Sequence, residues 1–191
     1  MDLDMIRENI KMLLKEARYQ HSLGVEEVAC DLALIHGYNM EKASVAGILH
    51  DCAKNMTDQQ LVMECEKNHI PISDIERKCG FLLHGKVGAI LANEMFGIED
   101  KEILDAITYH TTGRPGMTLL EKIIFTADYI EPYRRPLPRI NEIRENAYSN
   151  LDLAIYMILE NTLYYLVDSG TSIDHTTIET YKYYGSVIQT H

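Results

Sequence analysis

The sequence contains no C-x-x-C pair. Its four cysteines, Cys30, Cys52, Cys65 and Cys79, are scattered, and three fall in helix-like segments. That pattern excludes a disulfide framework and points to a reducing compartment, read here as the cytoplasm. No apolar run approaches the roughly 20 residues of a membrane span. The acidic start, Met1-Asp2-Leu3-Asp4, lacks the apolar core of a signal peptide. Membrane partners are therefore not expected. Cations are also scarce: 18 Lys and Arg stand against 29 Asp and Glu, a net charge of -11. This balance argues against nucleic acid, which demands a broad basic footprint. A small anionic substrate remains compatible, because a bound metal supplies its own local positive charge. There is no period-two alternation, no internal repeat and no low-complexity tract, so sheets and solenoids are excluded.

What is present is helical. The 191 residues, 46% hydrophobic and 25% charged, suit a single soluble domain. Ile6, Ile10, Leu13, Leu14 and Ala17 predict a helix over 3–18, followed by a junction at His21 and a helix capped by Ser22 and closed by Gly37. Small residues Ala43, Ala46 and Gly47 predict close approach of a neighbour. Thr57–Gln60, Ser73–Glu76 and Thr118–Glu121 read as capping boxes. His84 opens a helix closed by Gly97, and Asp100 begins one ending near His110. A basic, proline-rich connector at 134–139 leads to one long helix over about 141–168 and a last helix ending the chain. The fold class is all-α, a helical bundle.

Polar residues interrupt these apolar segments where a lone polar group would be costly to bury. His50 and Asp51 end one helix. His21, His84 and His110 each lie at the edge of another, and Asp128 sits within Phe125–Tyr129. Imidazoles and carboxylates are ligands for hard or borderline divalent cations. His21, His50, Asp51 and Asp128 would hold one ion with open positions. His84 and His110, with Asp51 as a bridge, would complete a second site or meet phosphate. The absence of sulfur disfavours structural zinc, and iron, manganese or another divalent ion suits the mixed set better. Lys54, three residues after Asp51, reads either as a phosphate partner or as a solvated lysine. Thr111, Thr112 and Gly113 either offer donors to phosphate or only form a turn. Arg134 and Arg135 are equal candidates on charge. Arg18 reads as an anchor for an acidic group. His36, His69 and His191 read as bystanders, and Tyr181, Tyr183 and Tyr184 as exposed tyrosines that pack internally or across a homodimer.

The order His, His-Asp, His, His, Asp resembles the HD-domain metal-dependent phosphohydrolases. The stretches RYQHSLGV, GILHDCAK, LLHGKVGA, YHTTGRPGM and FTADYIEPYR resemble the YqeK family among them, with a core over about 18–134 and a C-terminal helical extension over about 139–191. The resemblance implies one domain spanning 1–191, an HD-domain bundle, and symmetrical hydrolysis of diadenosine tetraphosphate to two ADP by metal-activated hydroxide. It implies a centre of one or two ions, iron foremost. It tips Lys54 towards catalysis beside Asp51, and favours Arg134 over Arg135. It implies substrate contacts at His21, Asp51, Lys54, His84, His110, Thr111, Asp128, Arg134, Asp174 and His175. Two alternatives stay open: a nucleotide phosphohydrolase of other specificity, for mononucleotides or a guanosine alarmone, and a non-catalytic nucleotide-binding module.

Overall fold

The computed structural model describes residues 2–189; Met1, Thr190 and His191 lie outside them. Eleven α-helices and one short 3₁₀ turn follow one another, with no strand among the described residues. They are α1 (Leu3–Leu13), α2 (Glu16–Ile35), α3 (Met40–Leu49), α4 (Asp58–Lys67), α5 (Asp74–Lys78), the 3₁₀ turn Gly80–Leu83, α6 (His84–Phe96), α7 (Lys101–Tyr109), α8 (Leu119–Ile130), α9 (Ile140–Ser149), α10 (Leu151–Asp168) and α11 (His175–Gln189).

The helix starts follow local chemistry. Thr57, Ser73 and Thr118 each accept from the backbone N–H three residues on, and Gln60, Glu76 and Glu121 reach back to the cap. These are the three expected capping boxes. Gly97 closes α6 in the left-handed conformation, with φ +66°.

Two boundaries differ from the periodicity. The first helix stops at Leu13, because Leu14 and Lys15 are extended. The next helix starts at Glu16 and carries both His21 and Ser22 inside it, buried. His21 is thus a mid-helix residue, not a junction residue, and Ser22 caps nothing. Its apolar stripe continues in phase across the break, which hides it from a periodicity reading. The long helix over 141–168 is two helices. Asn150 adopts φ -144° and its side chain accepts from Leu153 N, so it caps α10 and ends α9.

One main core joins the bundle. Val25, Ala29 and Leu32 of α2, Ala46, Ile48 and Leu49 of α3, Ile107 of α7, and Leu120 and Ile124 of α8 are all fully buried in it. A smaller cluster, Ala53, Leu61, Cys65, Leu83 and Val87, sits under α4 and α6. Close approach of α2 and α3 depends on Gly47, where a Cβ would lie 2.9 Å from the Cα of Glu26. All four cysteines are free. Tyr184 is buried in the core, so it packs internally; Tyr181 stacks on Tyr156, and Tyr183 is 40% exposed.

A candidate metal centre at the helix ends

Four helices deliver four imidazoles to one point. α2 carries His21, the end of α3 carries His50, the 3₁₀ turn hands over to α6 at His84, and α7 ends at His110. Three rings are oriented by the same device. His50 Nδ1 donates to Gly47 O at 2.7 Å, His84 Nδ1 to Phe81 O at 2.5 Å, and His110 Nδ1 to Ile107 O at 2.7 Å. Each acceptor is a carbonyl three residues earlier. Gly47 and Ile107 lie in the last turns of α3 and α7, where carbonyls lack intrahelical partners. Phe81 lies in the 3₁₀ turn, where its carbonyl also accepts from His84 N. The fourth ring is held differently: His21 Nδ1 donates to the buried carboxylate of Glu131 at 2.9 Å.

With Nδ1 carrying the proton, the Nε2 of each neutral ring is left as an acceptor. These acceptors face one another. His21 and His50 meet at 3.3 Å between Nε2 atoms, and His84 and His110 at 3.0 Å. Asp51 stands between the two pairs. Its Oδ2 lies 3.5 Å from His50 Nε2 and 3.8 Å from His21 Nε2, while Oδ1 lies 3.2 Å from His84 Nε2 and 3.5 Å from His110 Nε2. Asp128 Oδ1 is 3.0 Å from His21 Nε2 and 3.8 Å from His50 Nε2. Converging lone pairs repel unless a cation lies among them. Asp51 Oδ1 is buried and accepts no hydrogen bond, a state that is expensive without such a partner. The donor set therefore fits a divalent metal ion. Three overlapping groups have their ligand atoms within 4.8 Å: His21, His50 and Asp51; His50, His110 and Asp128; and Asp51, His84 and His110.

The protonation tendencies agree with this need for positive charge. Burial opposes a charge on His50, yet Asp51 and Asp128 pull its pKa above the ordinary histidine value. Burial pushes His110 down to about 4, so its ring is neutral. Burial also works against the charges of Asp51 and Asp128. The field of His50 holds Asp51 well below the usual carboxylate range, and Arg134 does the same for Asp128.

The remaining residues fall into two groups. Lys54 Nζ donates to His84 Nε2 at 2.9 Å and lies 3.5 Å from Asp51 Oδ1, and Thr111 Oγ1 stands 3.1 Å from His110 Nε2. Arg134 clamps Asp128 through both its carboxylate and its main-chain carbonyl, each at 2.7 Å. Arg18 Nη1 donates to Asp51 Oδ2 at 2.8 Å, the acidic anchor expected for it. Asp174 and His175 make only local contacts at the start of α11: Asp174 accepts from Thr176 N, and the exposed His175 lies beside Glu179. His36 caps α2 and bonds Ala147 O, and His69 occupies a left-handed turn, so neither joins the cluster. Glu131 was not singled out by sequence. Its signal was an acid three residues after Asp128, on the same helical face and just before Pro132.

Similarity to known proteins follows the same residues. A family model described as the HD domain matches residues 18–133. A symmetrical bis(5'-nucleosyl)-tetraphosphatase of Halalkalibacterium halodurans is 43% identical over 173 residues, covering 91% of each chain. The protein of the same name from Bacillus subtilis is 38% identical, covering 91% of this chain and 92% of its own. The crystal structure of an HD superfamily hydrolase from Clostridium acetobutylicum, described as involved in NAD metabolism, superposes with a TM-score of 0.94. It is 41% identical and 98% of each chain is covered.

Proposed function

We propose, for a chain that belongs to the HD-domain family and groups there with the symmetrical bis(5'-nucleosyl)-tetraphosphatases, that it hydrolyses diadenosine tetraphosphate at its centre. Water adds across the middle P–O–P bridge. One bridging P–O bond breaks, one P–O bond forms, and both halves leave as ADP. The observation that carries this reading is the placement of Asp51, whose two oxygens face separate pairs of imidazoles.

His21, His50, Asp51 and Asp128 would hold a first ion, and Asp51, His84 and His110 would offer a second position. Iron is the preferred occupant, with manganese next, because the donors are nitrogen and oxygen without sulfur. A divalent ion there supplies charge against polyphosphate oxygens and acidifies water. Arg18 fixes Asp51, and Arg134 fixes Asp128 while turning its positive charge towards substrate. Lys54, half-buried between Asp51 and His84, places an ammonium beside the scissile bridge. There it balances charge on the departing diphosphate. Thr111 offers a hydroxyl to phosphate, and Asp174 and His175 bound the nucleotide from α11.

The reading extends to setting and assembly. Four free cysteines suit the reducing cytoplasm, and no helix among the described residues is long and apolar enough to cross a membrane. Tyr164, Tyr165 and Val167, exposed on the C-terminal part of α10, suit pairing of two copies. The test is product analysis on protein whose metal content is measured. ADP as sole nucleotide product supports central cleavage; ATP with AMP, or no product from metal-loaded protein, overturns it.

A further inference from the structure

Beside the centre lies an open cleft of about 660 Å³, within the range of ~300–1,000 Å³ for small-molecule sites. His21 and Lys54 form its inner end, so it is continuous with the metal cluster. Five cationic side chains line it, Lys15, Arg18, Lys54, Arg134 and Arg135. They do so in a chain of net charge -11, which makes their convergence the more telling. The only acid in the lining, Glu131, is buried and spent: one oxygen accepts from His21 and the other from Tyr133 N at 2.6 Å.

The cations divide by what they already hold. Arg18, Lys54 and Arg134 at the inner end are tied to Asp51 or Asp128. Lys15 and Arg135, further out, are exposed and make no ion pair among the described residues. Tyr133, 64% exposed, lines the same cleft. Its ring rests against α2 at Gly24, where a Cβ would lie 2.8 Å from the ring and 2.7 Å from Glu131 Oε2. Gly24 thus makes room for an aromatic wall that faces the cleft.

One continuous cleft thus joins the metal cluster, free cations and an aromatic face. These are the parts a nucleoside diphosphate calls for: cations for its phosphates and an aromatic face for its base. We infer that the cleft of Lys15, Tyr133 and Arg135 is the subsite for the second nucleoside diphosphate of the dinucleotide. Lys15 and Arg135 neutralise its phosphates and Tyr133 stacks on its base. The half on this side is separate from the half that meets Thr111 and α11. The inference rests on the proposed hydrolysis of a dinucleoside polyphosphate, and adds how the two identical halves are told apart in space.

The experiment measures two quantities on metal-loaded protein, wild type against Tyr133→Ala and the double variant K15E/R135E. The first is the stoichiometry of ADP binding by equilibrium dialysis. The second is KM and kcat for diadenosine tetraphosphate. None of the three residues touches the cluster, so metal content is expected to be unchanged. Wild type is expected to bind two ADP per chain and each variant one. KM is expected to rise about tenfold in Tyr133→Ala, the scale of one stacked base, and further in the charge reversal, with kcat changed less than threefold. One ADP bound by wild type, or unaltered stoichiometry and KM in both variants, overturns the subsite even if ADP is the sole product. Two ADP bound by wild type and one by the variants upholds it even if turnover of the dinucleotide fails, in which case only the proposed reaction falls.

Discussion

Glu131 stands behind His21, its Oε1 accepting from Nδ1 at 2.9 Å, although 110 residues separate them in the chain. It is the one carboxylate that orients a ring in the cluster; the other three rings lean on main-chain carbonyls. A charged acceptor raises the basicity of the ring it holds. Glu131→Ala is expected to weaken metal binding by roughly 10- to 100-fold. Glu131→Gln, which keeps an acceptor, should lose less. Titration against a competing chelator checks both, and equal affinity in all three proteins would show that His21 needs no orienting.

His50→Ala and Asp51→Ala are each expected to lose metal and turnover together. Elemental analysis beside product chromatography reads both at once. Full occupancy retained in either variant contradicts its assignment as a ligand.

Lys54→Ala separates binding from chemistry. Its ammonium meets His84 and Asp51 from the cleft side, so its loss should leave the metal in place and lower kcat by roughly 10- to 1,000-fold, the cost of removing one charge-stabilising donor. Unchanged turnover would return Lys54 to a solvated side chain.

Metal affinity should rise with pH. In metal-free protein the His50 pKa is raised, so a proton competes with the ion at and somewhat above the usual histidine range near 6.5. As pH falls through that raised value the proton wins and the ion is released; as pH rises the ring is free for metal. Proton release on metal addition, measured by calorimetry in two buffers of different ionisation enthalpy, checks the sign. No proton release at pH 6.5 would refute it.

Gly85→Ala tests how the two sides of the cluster are brought together. A Cβ there would sit 2.5 Å from Thr108 O, so α6 and α7 would have to part just where His84 meets His110. Overpacking of this kind costs about 1–3 kcal/mol, and metal retention should fall with it. Gly97→Ala is the comparison: its cost comes from positive φ, and metal retention should hold. If both variants keep metal equally, the helix spacing at Gly85 does not set the site.

The candidate ligand set was legible because polar residues in apolar stripes advertise themselves. His50-Asp51, His84, His110 and Asp128 all fall where a hydrophobic pattern is broken, and the fold brings all of them together with His21. The capping boxes at Thr57, Ser73 and Thr118 were legible because they are local. What escaped was either long-range or in phase. Glu131 matters only because α8 packs on α2, and no spacing rule connects it with His21. The break at Leu14–Lys15 hides in an unbroken stripe. Asn150 looked like one more polar residue on a long helix, although its side chain is what starts α10. Arg18 was read as an anchor, but that its partner is Asp51 itself needed coordinates.

Three of the four imidazoles are fastened to main-chain carbonyls, His50 and His110 in the last turns of their own helices and His84 in the 3₁₀ turn before its helix. No substitution at those carbonyl positions removes the fastening, since the acceptor belongs to the peptide unit. Only opening of the turn that carries the carbonyl does. Opening of those turns and escape of the ion are then one event, and the off-rate of the metal becomes a clock for local unfolding. Amide exchange around residues 47–50 and 107–110 should slow in step with metal residence time, so that the stability of a few helix ends, more than ligand strength alone, governs how long the centre stays assembled.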